Sequence, residues 1–244
     1  MITLKTITTI ELSSKCNLKC LYCVNRLITK NSDRKPQIMS KKVFDRSLYW
    51  LEKLCQLGTQ KEVNLNGNGE STLDPDLIKR IHDVRDCIGA NRQLAFCTNG
   101  INMNPELANK LRGSGINRVD VSPHSPYHAR KAISILVAAG HSVLCTPGAI
   151  IQSHNWAGQL EPEHQIPCRV VIKCDPLIEG RGYIQAEGTV SPCCYDYRNL
   201  GTFGTVFDKN LLEREIKPYE LCKTCHQKIP NEIIMDEIVF KGAA

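Results

Sequence analysis

The sequence predicts an α/β fold: a parallel sheet wrapped by helices, rolled into a partial barrel, followed by a small cysteine-rich unit. Three observations predict it. Strand-like and helix-like segments alternate through the first two-thirds of the 244 residues, in β-then-α units that build parallel sheets. Three of the helices open on a capping residue followed by proline, a reliable start signal because proline at the first helical position loses no needed hydrogen bond. A closed eight-unit barrel takes roughly 250 residues. This chain leaves room for about five to six parallel strands, plus a C-terminal β-hairpin.

The elements follow in order. Thr6 to Leu12 alternates apolar and polar residues as a strand does. Ser40 caps a helix whose apolar positions Val43, Phe44, Leu48, Leu51 and Leu54 recur at helical spacing up to Gly58. Val63 to Leu65 is a short strand running into Asn66, Gly67, Asn68 and Gly69. Asp74-Pro75 starts a helix through Leu77, Ile78, Ile81, Val84 and Ile88, stopped by Gly89. Leu94 to Cys97 is the next strand, and Asn104-Pro105 opens a helix closing near Gly113. Arg118 to Val121 is a strand, and Ser125-Pro126 opens a helix that runs to Gly140. Ser142 to Cys145 is the fifth strand. Beyond Pro147 the period is lost, and only Tyr183 to Val190 reads as a hairpin, turning at Glu187-Gly188. The expected organisation is a barrel over 1–150, a linker over 151–167 and a cysteine-rich domain over 168–244.

Composition excludes several classes. Hydrophobic residues are 42% and charged residues 23%, as in an ordinary globular domain. The longest apolar run, Ile135 to Ala139, is far below the roughly 20 residues of a membrane span. No signal peptide is visible, so the cytoplasm is the expected location and no membrane partner is expected. The net charge of +6 is scattered. Pairs such as Lys41-Lys42 and Arg130-Lys131 read as solvated helix faces, and nucleic acid is not expected as a partner. Thirteen cysteines are hard to reconcile with disulfides in a cytosolic chain, and metal or cluster ligation is the leading explanation.

Cys16, Cys20 and Cys23 are spaced C-x3-C-x2-C directly after the first strand. Three thiolates on one loop can hold three irons of a [4Fe–4S] cluster and leave the fourth open, whereas a structural zinc site takes four ligands. This loop resembles the signature of the radical S-adenosylmethionine (radical SAM) superfamily, with Tyr22 in the aromatic position before the third cysteine. Asn68, Gly69 and Glu70 resemble that family's Gly-Gly-Glu motif, with Asn68 in place of the first glycine. Thr98, Asn99 and Ser122 match polar positions that reach the ribose and carboxylate of SAM. Each match falls at the C-terminal end of a strand, where ligand loops of parallel barrels lie. The resemblance covers about residues 6 to 150. It implies a [4Fe–4S] cluster bound to SAM, reductive cleavage to a 5′-deoxyadenosyl radical, and removal of a hydrogen atom from a substrate.

A second pattern is C-terminal. Cys174, Gly188, Cys193 and the pair Cys222 and Cys225 resemble the auxiliary-cluster region of SPASM/Twitch radical SAM enzymes. With no cysteine after Cys225, the shorter Twitch form with one auxiliary [4Fe–4S] cluster is the better match. Cys168 is an alternative to Cys174, and Cys194 to Cys193. Zinc held by Cys222, Cys225 and His226 with Cys193 and Cys194 is the competing reading. Cys55 and Cys87 read as small buried hydrophobes. Cys97 and Cys145 lie on strands, and whichever faces inward could donate a hydrogen atom to a substrate radical. His124 and His128 follow the fourth strand, near the expected SAM end. Trp156 precedes the second cysteine region, and Arg181 and Tyr183 cannot be assigned.

The resemblance leaves the substrate open. The first expectation is a residue of a ribosomally made precursor peptide, modified by epimerisation, crosslinking or backbone excision, with a separate peptide-recognition protein and an external electron donor as partners. The alternative is a small-molecule dehydrogenase or epimerase of the aminocyclitol dehydrogenase type. A non-enzymatic iron–sulfur scaffold or sensor is the third reading.

Overall fold

A computed structural model describes residues 1–28, 34–145, 156–159, 172–223, 225 and 227–228. Cys168, His226 and most of the expected linker lie outside the described residues. Among the described residues no helix is long and apolar enough to cross a membrane.

The strands are β1 (Thr6–Ile10), β2 (Val63–Asn64), β3 (Leu94–Thr98), β4 (Arg118–Val121), β5 (Val143–Cys145), β6 (Ile172–Lys173), β7 (Arg181–Ile184), β8 (Thr189–Ser191), β9 (Gly204–Thr205) and β10 (Gln227–Lys228). The main sheet has the order β5-β4-β3-β2-β1-β7-β8-β9, and β6 pairs with β10 separately. Every pairing from β5 through to β7 is parallel; β8 and β9 add antiparallel strands at one edge. The fold is therefore α/β with a mostly parallel sheet, consistent with a partial barrel.

The helices are α1 (Lys41–Gln56), α2 (Leu77–Ile88), α3 (Pro105–Arg112), α4 (Pro126–Ala138) and the single turn α5 (Asp175–Ile178). Ser40 and Asn104 cap α1 and α3 by accepting from the Val43 and Leu107 amides, each cap worth about 1 kcal/mol. The apolar stripe of α1, which includes Phe44, Trp50, Leu51 and Leu54, is buried in the core that runs under the whole sheet. Loss of a side chain such as Leu51 would cost about 2–5 kcal/mol.

Three details differ from the sequence reading. The sixth parallel strand does not follow β5 in space. It is β7, the first arm of the cysteine-rich hairpin, and it lies against β1 at the opposite side, in register from Thr6 with Arg181 to Ile10 with Ile184. The hairpin turn falls as expected, with Gly188 at φ +95°, a left-handed conformation that favours glycine. The first strand stops at Ile10 rather than Leu12; the Glu11 amide makes its last ladder bond to β7, on the Ile184 carbonyl at 2.8 Å. The helix expected from Asp74-Pro75 starts at Leu77. Asp74 does not cap it as expected; its carboxylate accepts from the Asp76 amide at 3.0 Å and faces Arg80 at 3.2 Å.

Because β1 to β4 are parallel, their C-terminal ends share one edge of the sheet. The segments that leave them, residues 11–27, 65–70, 99–100 and 122–124, form the floor and walls of a single cavity.

Candidate active site

The cavity holds about 200 Å³ and is lined by Cys16, Cys20, Cys23, Glu70, Thr98 and Ser122 among others. From Lys15 to Tyr22, between β1 and a short turn at Val24–Leu27, exposure alternates. Cys16, Leu18, Cys20 and Tyr22 line the cavity, while Lys15, Asn17, Lys19 and Leu21 face solvent. The Leu18 amide donates to the Cys16 Sγ at 3.4 Å and the Asn25 amide to the Cys23 Sγ at 3.5 Å. Burial pushes the Cys16 thiol up and the Cys23 thiol up to about 12. Such thiols ionise readily only against a cation, and iron supplies one.

Glu70 is the structural centre of the cavity wall. One carboxylate oxygen accepts from the Thr72 amide (3.2 Å), the Thr72 hydroxyl (2.6 Å) and the Thr98 hydroxyl (2.8 Å). The other accepts from the Asn99 amide (2.8 Å). The Glu70 amide donates to the Lys15 carbonyl at 2.7 Å, which ties the cysteine loop to the end of β2. A Cβ on Gly69 would collide with the Ser13 and Lys15 carbonyls, so only glycine permits this approach. Asn99 donates from its amide side chain to Asn17 at 2.7 Å, with the Cys16 Sγ at 3.9 Å. Ser122 Oγ lies 3.0 Å from the Cys97 Sγ.

Of the two strand cysteines, the structure brings only Cys97 to the cavity. Burial pushes its thiol up to about 11. Cys145 is exposed at the end of edge strand β5, because β5 has a neighbour on one side only. Cys55 and Cys87 pack against the core as half-buried side chains. His124 also lines the cavity; its Nδ1 pairs with the Tyr22 hydroxyl at 2.9 Å. Burial holds the His124 imidazole below its usual value and pushes the Tyr22 phenol up to about 12. His128 is drawn off to Ser125 at 2.7 Å.

Two groups were missed by sequence reasoning. Asn66 lines the cavity, and its Oδ1 is buried without a hydrogen-bond partner, an acceptor ready for a ligand donor. Its place just before Gly67 was a usable signal. The other is a buried network beneath Asn68. Glu11 accepts from the Asn68 amide (2.8 Å), the Tyr183 hydroxyl (3.1 Å), the Ala186 amide (3.0 Å) and Arg34 (2.5 Å). Arg34 also pairs with Glu187 at 2.6 Å. Tyr183 is thereby placed; Arg181 pairs with Glu179 at 3.0 Å, away from the cavity. No local pattern announces Glu11, since its partners are distant in sequence.

A second, smaller cavity is lined by Cys174, Cys193, Cys222 and Cys225, with Tyr195 and Tyr219. Cys194 is outside that lining. The turn carrying Cys193 is wound on the buried Asp196, whose carboxylate accepts from the Leu200 and Gly201 amides at 2.8 Å each. Trp156 joins the two regions: its indole donates to the Tyr22 carbonyl at 2.8 Å and its ring meets Tyr195 edge-on at 5.5 Å. Among the described residues, no three His, Cys, Asp or Glu gather closely enough to hold a single metal ion.

Residues 10–139 match the Radical SAM superfamily, and the chain belongs to it. It is an enzyme of that superfamily, with a [4Fe–4S] cluster and SAM as its cofactors. The probable GTP 3′,8-cyclase of Methanocaldococcus jannaschii is 30% identical over 113 residues, 46% of this chain and 34% of that protein. The AdoMet-dependent heme synthase of Methanosarcina barkeri is 27% identical over 112 residues, 46% of this chain and 29% of that protein. The match thus spans about a third of these curated relatives. The structure of BtrN in complex with AdoMet and 2-DOIA superposes with a TM-score of 0.68 at 20% identity, covering 84% of this chain and 79% of that one. Native anSMEcpe with bound AdoMet gives 0.56 at 16% identity, covering 90% and 86%. These structures share the fold.

Proposed function

We propose that Cys16, Cys20 and Cys23 hold the [4Fe–4S] cluster, that the adjoining cavity binds SAM, and that the enzyme removes a hydrogen atom from a small polar substrate at the cavity mouth. When bound, the cluster and SAM supply a 5′-deoxyadenosyl radical; the protein supplies the grip and the shielding. The observation that carries this reading is the single cavity onto which three thiols and the polar ends of β2, β3 and β4 converge. Gly69 lets the cysteine loop close on the end of β2. Glu70 orders Thr98 and Asn99 rather than offering a free oxygen, since its carboxylate already accepts four hydrogen bonds. The acceptors left for a ligand are Asn66 Oδ1 and the hydroxyl of Ser122; Tyr22 and His124 close the rim.

The second cavity, in this reading, is a Twitch-like site in which Cys174, Cys193, Cys222 and Cys225 hold one auxiliary cluster. Cys193 rather than Cys194 fits, because Cys193 lines the cavity and Cys194 does not. The names of two curated relatives, a GTP cyclase and a heme synthase, favour a small-molecule substrate over the precursor peptide expected from the sequence.

The test is an iron and acid-labile sulfide count after anaerobic reconstitution, for wild type and for a variant with Cys16, Cys20 and Cys23 all changed to alanine. Two clusters predict about eight irons falling to about four. Release of 5′-deoxyadenosine under dithionite should be lost with them. Eight irons in both proteins would sink the assignment of the loop, and about four falling to none would sink the auxiliary cluster.

A further inference from the structure

The second cavity holds a polar atom that the protein leaves unsatisfied. The Tyr219 hydroxyl is buried, and among the described residues it has no hydrogen-bond partner. A buried phenol normally finds one, because a desolvated O–H is costly to leave unpaired. The ring is held in place from several sides. The Cys222 amide donates to the Tyr219 carbonyl at 2.8 Å, which ties the tyrosine to the short turn Glu220–Lys223 that carries Cys222. Gly201 lies against the ring, where a Cβ would collide with it, and the Gly201 amide is itself anchored on Asp196 at 2.8 Å. Cys193 and Cys225 pack in the same small cluster.

What the hydroxyl faces decides its role. Apart from Tyr195 and Tyr219, the side chains lining this cavity are alanine, proline, leucine and the four cysteines, so the acceptors they offer are sulfur. Burial pushes the Tyr219 phenol up, and Cys193, Asp196 and Cys222 add to the shift, Cys193 most. The group is therefore an O–H donor at any working pH. The Asp196 oxygens already accept from the Leu200 and Gly201 amides. A neutral thiol is a weak acceptor, whereas a sulfur that carries negative charge is a good one. We infer that the Tyr219 hydroxyl is a preformed donor to the Cys193 sulfur as an iron ligand, and that this bond sets how readily the second site takes an electron. The inference rests on the reading of Cys174, Cys193, Cys222 and Cys225 as ligands of an auxiliary cluster. A hydrogen bond to a ligand sulfur favours the more negative, reduced state and so raises the reduction potential. Cys193 already accepts from the Tyr195 amide at 3.4 Å. Tyr219 adds a donor from a side chain, in an apolar lining that screens it little.

The experiment is a redox titration followed by electron paramagnetic resonance, with and without Tyr219→Phe, after anaerobic reconstitution. Both proteins are the full chain with Cys16, Cys20 and Cys23 changed to alanine, so that the signal comes from the second site. Tyr219→Phe removes one oxygen and keeps the ring against Gly201. Iron should stay at about four per chain. The midpoint potential should fall by about 59 mV, a tenfold change in a one-electron equilibrium. After exchange into deuterated water, the reduced site should show one deuteron coupling fewer in Tyr219→Phe than in its parent. Equal potentials at full iron would overturn the inference and leave the cluster reading standing. A higher potential in Tyr219→Phe would also overturn it, because admitted water rather than a lost donor would then govern the site. If Tyr219→Phe takes up less iron, the parent decides alone: a reduced site with no deuteron coupling beyond that of a backbone amide would overturn the inference. A parent that holds no iron would strike the auxiliary-cluster reading, and the inference with it.

Discussion

The two cysteine sites are built on opposite plans. At the first, the thiols lie within eight consecutive residues, Cys16 to Cys23, and several polar side chains around them are already ordered: Glu70 with four donors, Asn99 bonded to Asn17, Ser122 against Cys97. At the second, the cysteines come from three separated places, Cys174, Cys193 and the pair Cys222 and Cys225, and the lining between them is apolar or aromatic. The Tyr219 hydroxyl is buried without a hydrogen-bond partner, and that burial pushes its phenol up. The contrast matches the roles proposed for the two sites. A site that must also grip a polar ligand needs preorganised dipoles at strand ends. A site that only encloses a group can be made by wrapping hydrophobic surface around its ligands.

Both plans depend on one device, and breaking it tests whether the sites are coupled. Glu11 is fully buried and joins the end of β1 to Asn68 on one side and to Ala186 and Tyr183 on the other. Removing it leaves the buried Arg34 guanidinium with Glu187 as its remaining carboxylate partner and the Asn68 and Ala186 amides without their acceptor. Glu11→Ala should cost about 1–3 kcal/mol, the usual penalty for buried donors left unsatisfied. Denaturant unfolding measures that loss. Both cysteine sites should take up less iron, since β1 and β7 diverge together. A loss confined to the C-terminal site would show that the network serves the hairpin alone.

A pair of glycine substitutions separates the sites. In Gly69→Ala the new methyl meets the Ser13 and Lys15 carbonyls, rigid backbone that cannot yield, and the cysteine loop must swing out. The expected result is about four irons lost from the first site, with the second retained. In Gly201→Ala the methyl meets the ring of Tyr219, which can rotate away at a cost of about 1–3 kcal/mol for an overpacked contact. Iron at the first site should stay full, and the second site should bind its group more weakly. Equal behaviour of the two variants would remove the contrast drawn above. Iron analysis with electron paramagnetic resonance reads both.

How much of this was legible in the sequence follows the same divide. The β-α alternation, the caps at Ser40 and Asn104 and the tight cysteine spacing are local signals, and the structure has the strands and helices of the barrel close to where those signals put them. The first cavity could be outlined because its residues sit at strand ends, where a parallel sheet must gather them. What could not be read was long-range. Nothing in the local pattern of Arg181 to Ile184 says that the strand will lie beside β1, since its partner is 175 residues away in register, Thr6 with Arg181. Glu11 and Arg34 are invisible for the same reason: a buried charge is defined by partners that only the fold supplies. Cys145 shows the converse error of scale. A strand cysteine near the ligand edge was a fair candidate until β5 proved to be the sheet edge.

The smallest effect expected is a titration at the rim of the first site, and it has no counterpart at the second, where among the described residues no histidine lines the cavity. Burial lowers the His124 pKa in the folded protein below its value in the unfolded chain. The unfolded chain therefore binds more protons in the window between the two values, and stability rises with pH across it. The contribution of neutral His124 is fully present above about 6.5, the ordinary histidine value, and is lost as pH falls below it. Thermal midpoints measured from pH 7.5 down to pH 5 should drop more steeply in wild type than in His124→Gln, which cannot titrate. The same change removes the partner of the Tyr22 hydroxyl, so His124→Gln should start slightly lower at pH 7.5, by about 1 kcal/mol for one hydrogen bond. The two curves should then converge toward low pH. Parallel curves would mean that the imidazole is solvated in the folded protein and that the rim of the first cavity stands open to water.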